Sequence, residues 1–255
     1  MKQTEQMGMN RTGTQMSPFD SEAMQSAALS SQVRIERDDG AGEDVRSAYI
    51  LGADGLGSVP VPMSVQGAVN TGLSMLKGNS PQIFIDKLGE RLAFERTGTR
   101  LYDALITKCK ASSEAIGGMT VDDLLMIRQD EAQHCRLVAQ AIESLGGDPT
   151  AQTPSADLAG VESMGLVQVV NDPRTSVTQS LHAILTAELA DQAGWESLIA
   201  LAEEQGQSSM IDEFSLALDE ERDHLQQVQT WYETALGISG GNGAATGAGI
   251  ADLPA

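Results

Sequence analysis

Glu131 and His134 stand three residues apart in "DEAQH", and Glu221 and His224 repeat that spacing in "EERDH". Residues three apart on a helix share a face, so the Glu and His of each pair can reach one point. Two further acids, Glu95 and Glu188, hold matching places in two other runs. The interval from Glu95 to Glu131 nearly equals that from Glu188 to Glu221, as in a duplicated helical hairpin. All six lie on stripes otherwise filled with Leu, Ile, Val, Phe and Trp. Four carboxylates buried without partners would each face a desolvation cost of several kcal/mol, and they would repel one another besides. Two divalent cations neutralise four carboxylates, and two imidazoles add nitrogen ligands without changing the charge. A pair of metal ions is therefore the least costly account of the pattern.

The elements that must position these groups read as four helices. The first begins at Ser80-Pro81, a cap residue followed by Pro, and carries Ile85, Leu88, Leu92, Glu95, Thr99, Tyr102 and Ile106 at steps of three and four. The second follows Thr120 and carries Leu124, Ile127, Glu131, His134, Val138 and Ile142. Asp122 and Asp123 lie in its first turn, where the helix dipole favours acids. The third starts near Thr175 and carries Leu181, Ile184 or Leu185, Glu188, Asp191, Trp195 and Leu198. The fourth starts at Ser208 or Ser209 and carries Phe214, Ala217, Glu221, His224, Val228, Trp231 and Ala235. Short turns join the first two and the last two. Residues 148–174 are long enough to cross the length of the bundle between the hairpins. The prediction is an all-α chain whose residues 80–236 form a four-helix bundle of two helical hairpins with one long crossover.

The order Glu, Glu-x-x-His, Glu, Glu-x-x-His resembles the ferritin-like superfamily of di-iron and di-manganese carboxylate proteins, over residues 81–236. The resemblance implies a ferritin-like four-helix bundle. It makes Glu95, Glu131, Glu188 and Glu221 the bridging and chelating carboxylates, with His134 and His224 as terminal nitrogen ligands. Asp130 and Glu220 match the acids that, in related di-iron oxygenases, accept the ring N–H of the opposite His; Glu220 departs from the usual Asp. Such outer partners fix the tautomer and direction of a ligating ring. Asp191, one turn after Glu188, corresponds either to the extra carboxylate of the rubrerythrin-like branch or to an outer acid. Two iron ions, or alternatively manganese, are the implied cofactors, with O2 or H2O2 as the reacting partner.

Other residues near the stripes invite plainer readings. Glu90 and Glu196 are alternative acids that fall off the stripe of their helices, and His182 falls off the Glu188 stripe and reads as exposed. Cys135 is a small buried hydrophobe on this reading. Tyr102 and Trp195 each follow a proposed ligand by two turns, where core packing, a hydrogen bond to a ligand or a redox role would place them. Tyr102 is the one candidate catalytic residue among them.

With 16 Lys and Arg against 36 Asp and Glu, the formal charge is -20, which repels phosphate backbones and anionic lipid. Nucleic-acid and membrane partners are therefore not expected. Two cysteines are too few for a disulfide framework or for a four-cysteine electron-transfer domain, so a separate electron donor is implied and the cytoplasm is the expected compartment. Residues 1–46 show no sustained period and read as a disordered tail; 47–79 read as an extended strap with a short helix, and 237–255 as a flexible Gly-rich tail. A homodimer is compatible with all of this. The functional expectation is a di-iron carboxylate oxidoreductase acting as oxidase, oxygenase or peroxidase. Iron storage with ferroxidase activity, di-manganese catalase-like chemistry and a purely structural metal site are the alternatives.

Overall fold

The computed structural model describes residues 18–35, 41–60 and 81–238. Among them every regular element is an α-helix: α1 (Pro18–Ile35), α2 (Ala41–Gly52), α3 (Pro81–Ala111), α4 (Val121–Ser144), α5 (Pro154–Asn171), α6 (Val177–Glu204) and α7 (Ser208–Ala235). None is long and apolar enough to cross a membrane. The chain divides into two compact units, residues 1–55 and 56–255.

The first unit corrects the sequence reading. The stretch read as a disordered tail holds α1 and the first half of α2. No periodicity announces α1, yet its Ala, Met, Gln, Leu and Glu are good intrinsic helix formers, and local propensity needs no apolar stripe. α2 runs into the expected strap, and 53–60 are not helical. The remainder of the strap, Ser80 as the expected cap of α3, and the tail beyond Ile238 lie outside the described residues.

In the second unit α3 packs on α4, α4 on α7, α7 on α6 and α6 back on α3, so these four helices close a ring. α5 lies on α3 and α6 outside that ring. It is the long crossover expected of 148–174, in helical form. Thr153 caps it and Pro154 occupies its first turn, and its 18 residues make a rod about 27 Å long. The buried face consists of Ala156, Ala159, Ser163 and Val170, whereas Leu158, Val161 and Met164 face outward. Small residues inward let α5 approach α3 closely; large ones outward erase the usual amphipathic signal.

Polar contacts between helix ends set the directions. The Asp86 carboxylate accepts from the Ser155 N–H at 2.9 Å, at the start of both α3 and α5. Lys108, near the end of α3, donates to the carbonyls of Asp172 and Thr175 at the end of α5, at 2.8 and 2.9 Å. α3 and α5 therefore run parallel. Glu114, just after α3, accepts from the N–H groups of Val177 and Thr178 at 2.9 and 3.1 Å, which caps α6 and turns it back along α3. Capping boxes at Thr120 with Asp123 and at Ser176 with Gln179 start α4 and α6. Every neighbouring pair in the ring is consequently antiparallel.

Two apolar layers fill the ring. One gathers Leu101, Leu105, Ile127, Leu181, Ile184, Val228 and Trp231; the other gathers Phe84, Leu88, Val138, Trp195, Leu198 and Phe214. The charged residues of the sequence pattern lie between them.

Candidate metal centre

The stripes of α4 and α7 enter the core as their spacing predicts, with only Ala235 half-buried at the end. The stripe of α3 is turned slightly. Its inward line is Phe84, Leu88, Arg91, Glu95, Gly98, Tyr102 and Leu105, while Ile85 and Thr99 are half-buried. Glu95, Glu131, His134, Glu188, Asp191, Glu221 and His224 converge, together with Arg91, and each is at most 4% exposed. Glu90 and Glu196 remain outside, paired with Lys87 and Gln192, and His182 is exposed against Tyr232.

Among the described residues, three sets of groups bring ligand atoms within 4.8 Å of one another: Glu131, Glu188, Glu221 and His224; Glu95, His134 and Glu221; Glu95, Glu131, Asp191 and Glu221. Glu221 belongs to all three, which makes it the centre of the cluster. Both imidazoles turn Nδ1 inward, His134 at 2.6 Å from Glu221 Oε1 and 3.8 Å from Glu95 Oε2, His224 at 3.3 Å from Glu221 Oε2. Their Nε2 atoms point outward across the α4–α7 contact, to Glu220 at 2.8 Å and to Asp130 at 3.3 Å. The two outer acids thus cross from one helix to the histidine of the other, and Glu at 220 reaches as far as its shorter counterpart. The Tyr102 hydroxyl, buried, donates to Glu188 Oε1. Trp195 stands edge-on to His134 at 5.5 Å and to Phe214 at 5.4 Å. Cys135 is half-buried and lies outside the three sets.

Arg91 is the residue that sequence reasoning missed. Its Nε lies 2.8 Å from Glu95 Oε1, its Nη1 3.2 Å from Asp191 Oδ1, and the guanidinium covers the Phe94 ring at 4.3 Å. The signal was present, since Leu88, Arg91 and Glu95 follow three-four spacing. Two glycines make room: a Cβ on Gly194 would collide with Arg91 Nη1, and one on Gly98 with Glu131 Oε2. Gly inside a long helix costs about 1 kcal/mol against Ala, so a glycine on an inward stripe signals a close approach.

The residues present fit a pair of divalent ions. Glu95 Oε2, Glu131 Oε2 and Glu188 Oε2 are buried and make no hydrogen bond within the protein, while Glu95 Oε1 meets only Arg91 and Glu221 Oε1 only His134 Nδ1. Asp191 adds a negative charge and Arg91 a positive one, so the net charge to be neutralised remains that of the four glutamates. Proton affinities report the same excess of acid. Burial, then the charge of nearby carboxylates, raises Glu95 and Glu131 well above the usual carboxylate range. Burial does the same to Asp191 although Arg91 opposes it. Burial and Glu221 lift Glu188 to about 8. Burial by itself would lower the two imidazoles, but hydrogen bonds to Glu221 and the surrounding negative charge bring both to about 9. Glu221, held by both rings, falls to about 2 in spite of its burial. Protons thus stand where cations would.

A groove between α4 and α7 leads from solvent to this site, lined by Gln133, His134, Leu137, Leu216, Ala217 and Glu220. No family model, curated protein or solved structure matches this chain.

Proposed function

We propose that this protein is a ferritin-like di-iron carboxylate oxidoreductase whose dinuclear site reacts with O2 or H2O2. The observation that carries the reading is the set of buried, hydrogen-bond-free carboxylate oxygens turned on one another together with the inward Nδ1 of His134. Oxygen and imidazole donors of this kind suit iron and manganese. A pair of irons held there would supply two electrons, one from each, to an oxidant.

The chain's own residues do the rest. Glu131, Glu188, Glu221 and His224 would hold one ion, and Glu95 and His134, sharing Glu221, the other. Asp130 and Glu220 fix the two rings so that Nδ1 stays inward, which keeps the ligands preorganised. Glu220 also connects His134 Nε2 to solvent, because its side chain is 55% exposed at the groove. Tyr102 holds Glu188 by its hydroxyl, which places an oxidisable ring against the ligand shell. The apolar layers exclude bulk water on both sides, which strengthens every charge interaction between them. Electrons to restore the site would come from a separate donor.

Anaerobic loading of metal-free protein with Fe(II), followed by O2, tests the reading. A transient visible absorption with one O2 consumed per two irons supports it. Metal that binds tightly but leaves O2 untouched would identify structural ions. Iron accumulating far beyond two per chain would identify storage, and peroxide dismutation by the manganese form alone would identify catalase-like chemistry.

A further inference from the structure

We infer that the two metal positions are unequal, that Arg91 makes them so, and that the site consequently becomes competent only when the supply of metal is high enough to fill the weaker one. This rests on the dinuclear reading above.

One position draws on Glu131, Glu188, Glu221 and His224, none of which forms an ion pair with Arg91, although the charges of Glu221 and Glu131 reach it from farther away. The other draws on Glu95, His134 and Glu221, with Asp191 within reach of Glu95 and Glu221. There the guanidinium lies 2.8 Å from a Glu95 oxygen and 3.2 Å from an Asp191 oxygen. An ion at that position must share Glu95 with a fixed positive charge and sit one carboxylate away from it. Arg91 cannot withdraw. It is buried, its Nη1 also donates to the Asp191 carbonyl at 3.1 Å, and Gly194 leaves it a fitted recess. Nor can it lose its proton, since a guanidinium stays charged in proteins. The first ion therefore enters at His224 and the second at His134. Chemistry that takes one electron from each ion waits for the second.

Manganese(II) provides the probe, because it binds carboxylate and imidazole sites and is counted by its electron paramagnetic resonance without any turnover. Titrating the metal-free full-length protein should show two steps differing by at least about tenfold in affinity. The half-loaded form should show an isolated Mn(II) signal and the fully loaded form a coupled pair. Arg91→Gln should narrow the gap by about tenfold, chiefly by tightening the second step, and Arg91→Lys, which keeps the charge, should preserve it. His134→Ala should abolish the weak step alone, and His224→Ala the tight step alone. Those two variants decide the order of filling even where an Arg91 substitution prevents folding. Equal steps in the unaltered protein, an unchanged gap in Arg91→Gln, or loss of the tight step in His134→Ala would overturn the inference. If the unaltered protein takes up no Mn(II), Fe(II) or Zn(II), it is the dinuclear reading itself that fails.

Discussion

Leu88 and Glu95 lie two turns apart on one face of α3, and both are fully sealed from water. Leu88 belongs to the layer with Phe84, Val138 and Phe214, where burial of hydrocarbon is itself the driving force. Glu95 belongs to the layer with Glu131, Glu188, Glu221 and the histidines, where burial is a cost that something else must offset. The same helix thus contributes a region that burial stabilises and a region whose burial must be offset by protons, partners or cations. Geometry is set by the first and chemistry by the second.

Removing metal should break this contrast most strongly. An ion in thousandfold excess over its Kd stabilises the fold by about 4 kcal/mol, so stripping two with a chelator should lower the unfolding temperature by many degrees. Equal unfolding temperatures with and without metal would mean that the polar layer needs no ions.

The pH dependence sharpens the point. Each imidazole keeps a proton in the folded, metal-free protein between its ordinary 6.5 and about 9, and Glu188 does so between 4.5 and about 8. The folded state binds more protons than the unfolded one in those windows, so metal-free stability falls as pH rises through them. The stabilisation from the imidazoles is complete below 6.5 and gone above about 9, while the cost of Glu188 grows from 4.5 and is complete above about 8. Metal binding displaces those protons and therefore strengthens with pH. The gap in unfolding temperature between loaded and metal-free protein should widen from about pH 6 to about pH 9. A gap that shrinks over that range would remove the proton-for-cation account.

Leu88→Ala should cost about 2–5 kcal/mol, and by the same amount in loaded and metal-free protein. A cost that differed between the two forms would show that the layers are not separable. Bound metal per chain should be unchanged.

The two layers were also unequally legible. The stripes of α4 and α7 alternate three and four without interruption, so Glu131, His134, Glu221 and His224 could be placed inside from their spacing. α3 was harder because its inward line includes Arg91 and Gly98, residues that apolar patterning counts as outward or neutral. The helical form of the crossover, α5, escaped because it buries Ala156, Ala159 and Ser163 and turns Leu158, Val161 and Met164 outward, the reverse of the pattern that marks a helix in a core. α1 left no trace in periodicity, since propensity alone forms it. What could be read from sequence was hydrophobic rhythm, and what escaped was packing between backbones and the guanidinium inside an acidic centre.

Gly98→Ala tests the close approach directly. The added methyl falls where Glu131 Oε2 lies, so the carboxylate must turn away. Overpacking of this kind costs about 1–3 kcal/mol in the metal-free protein. In addition, metal content should drop below two per chain while helical content stays the same. Full metal content in this variant would mean that Glu131 has other room to bind.

The smallest change expected is at Tyr102→Phe, and it reads the polar layer most finely. The lost hydroxyl leaves Glu188 Oε1, on a buried side chain, without its donor. Losing such a bond costs about 0.5–1.5 kcal/mol. That cost should appear in the metal-free protein and nearly vanish in the loaded one, because an ion at Glu188 takes over the role of the donor. The hydroxyl also lowers the proton affinity of Glu188, so its loss should let protons compete better and weaken metal binding a few-fold at neutral pH. O2 consumption by the fully loaded variant separates two roles for the ring. Unchanged consumption would confine Tyr102 to holding Glu188, whereas loss of turnover with both ions retained would make it a hydrogen-atom donor to the reacting oxidant.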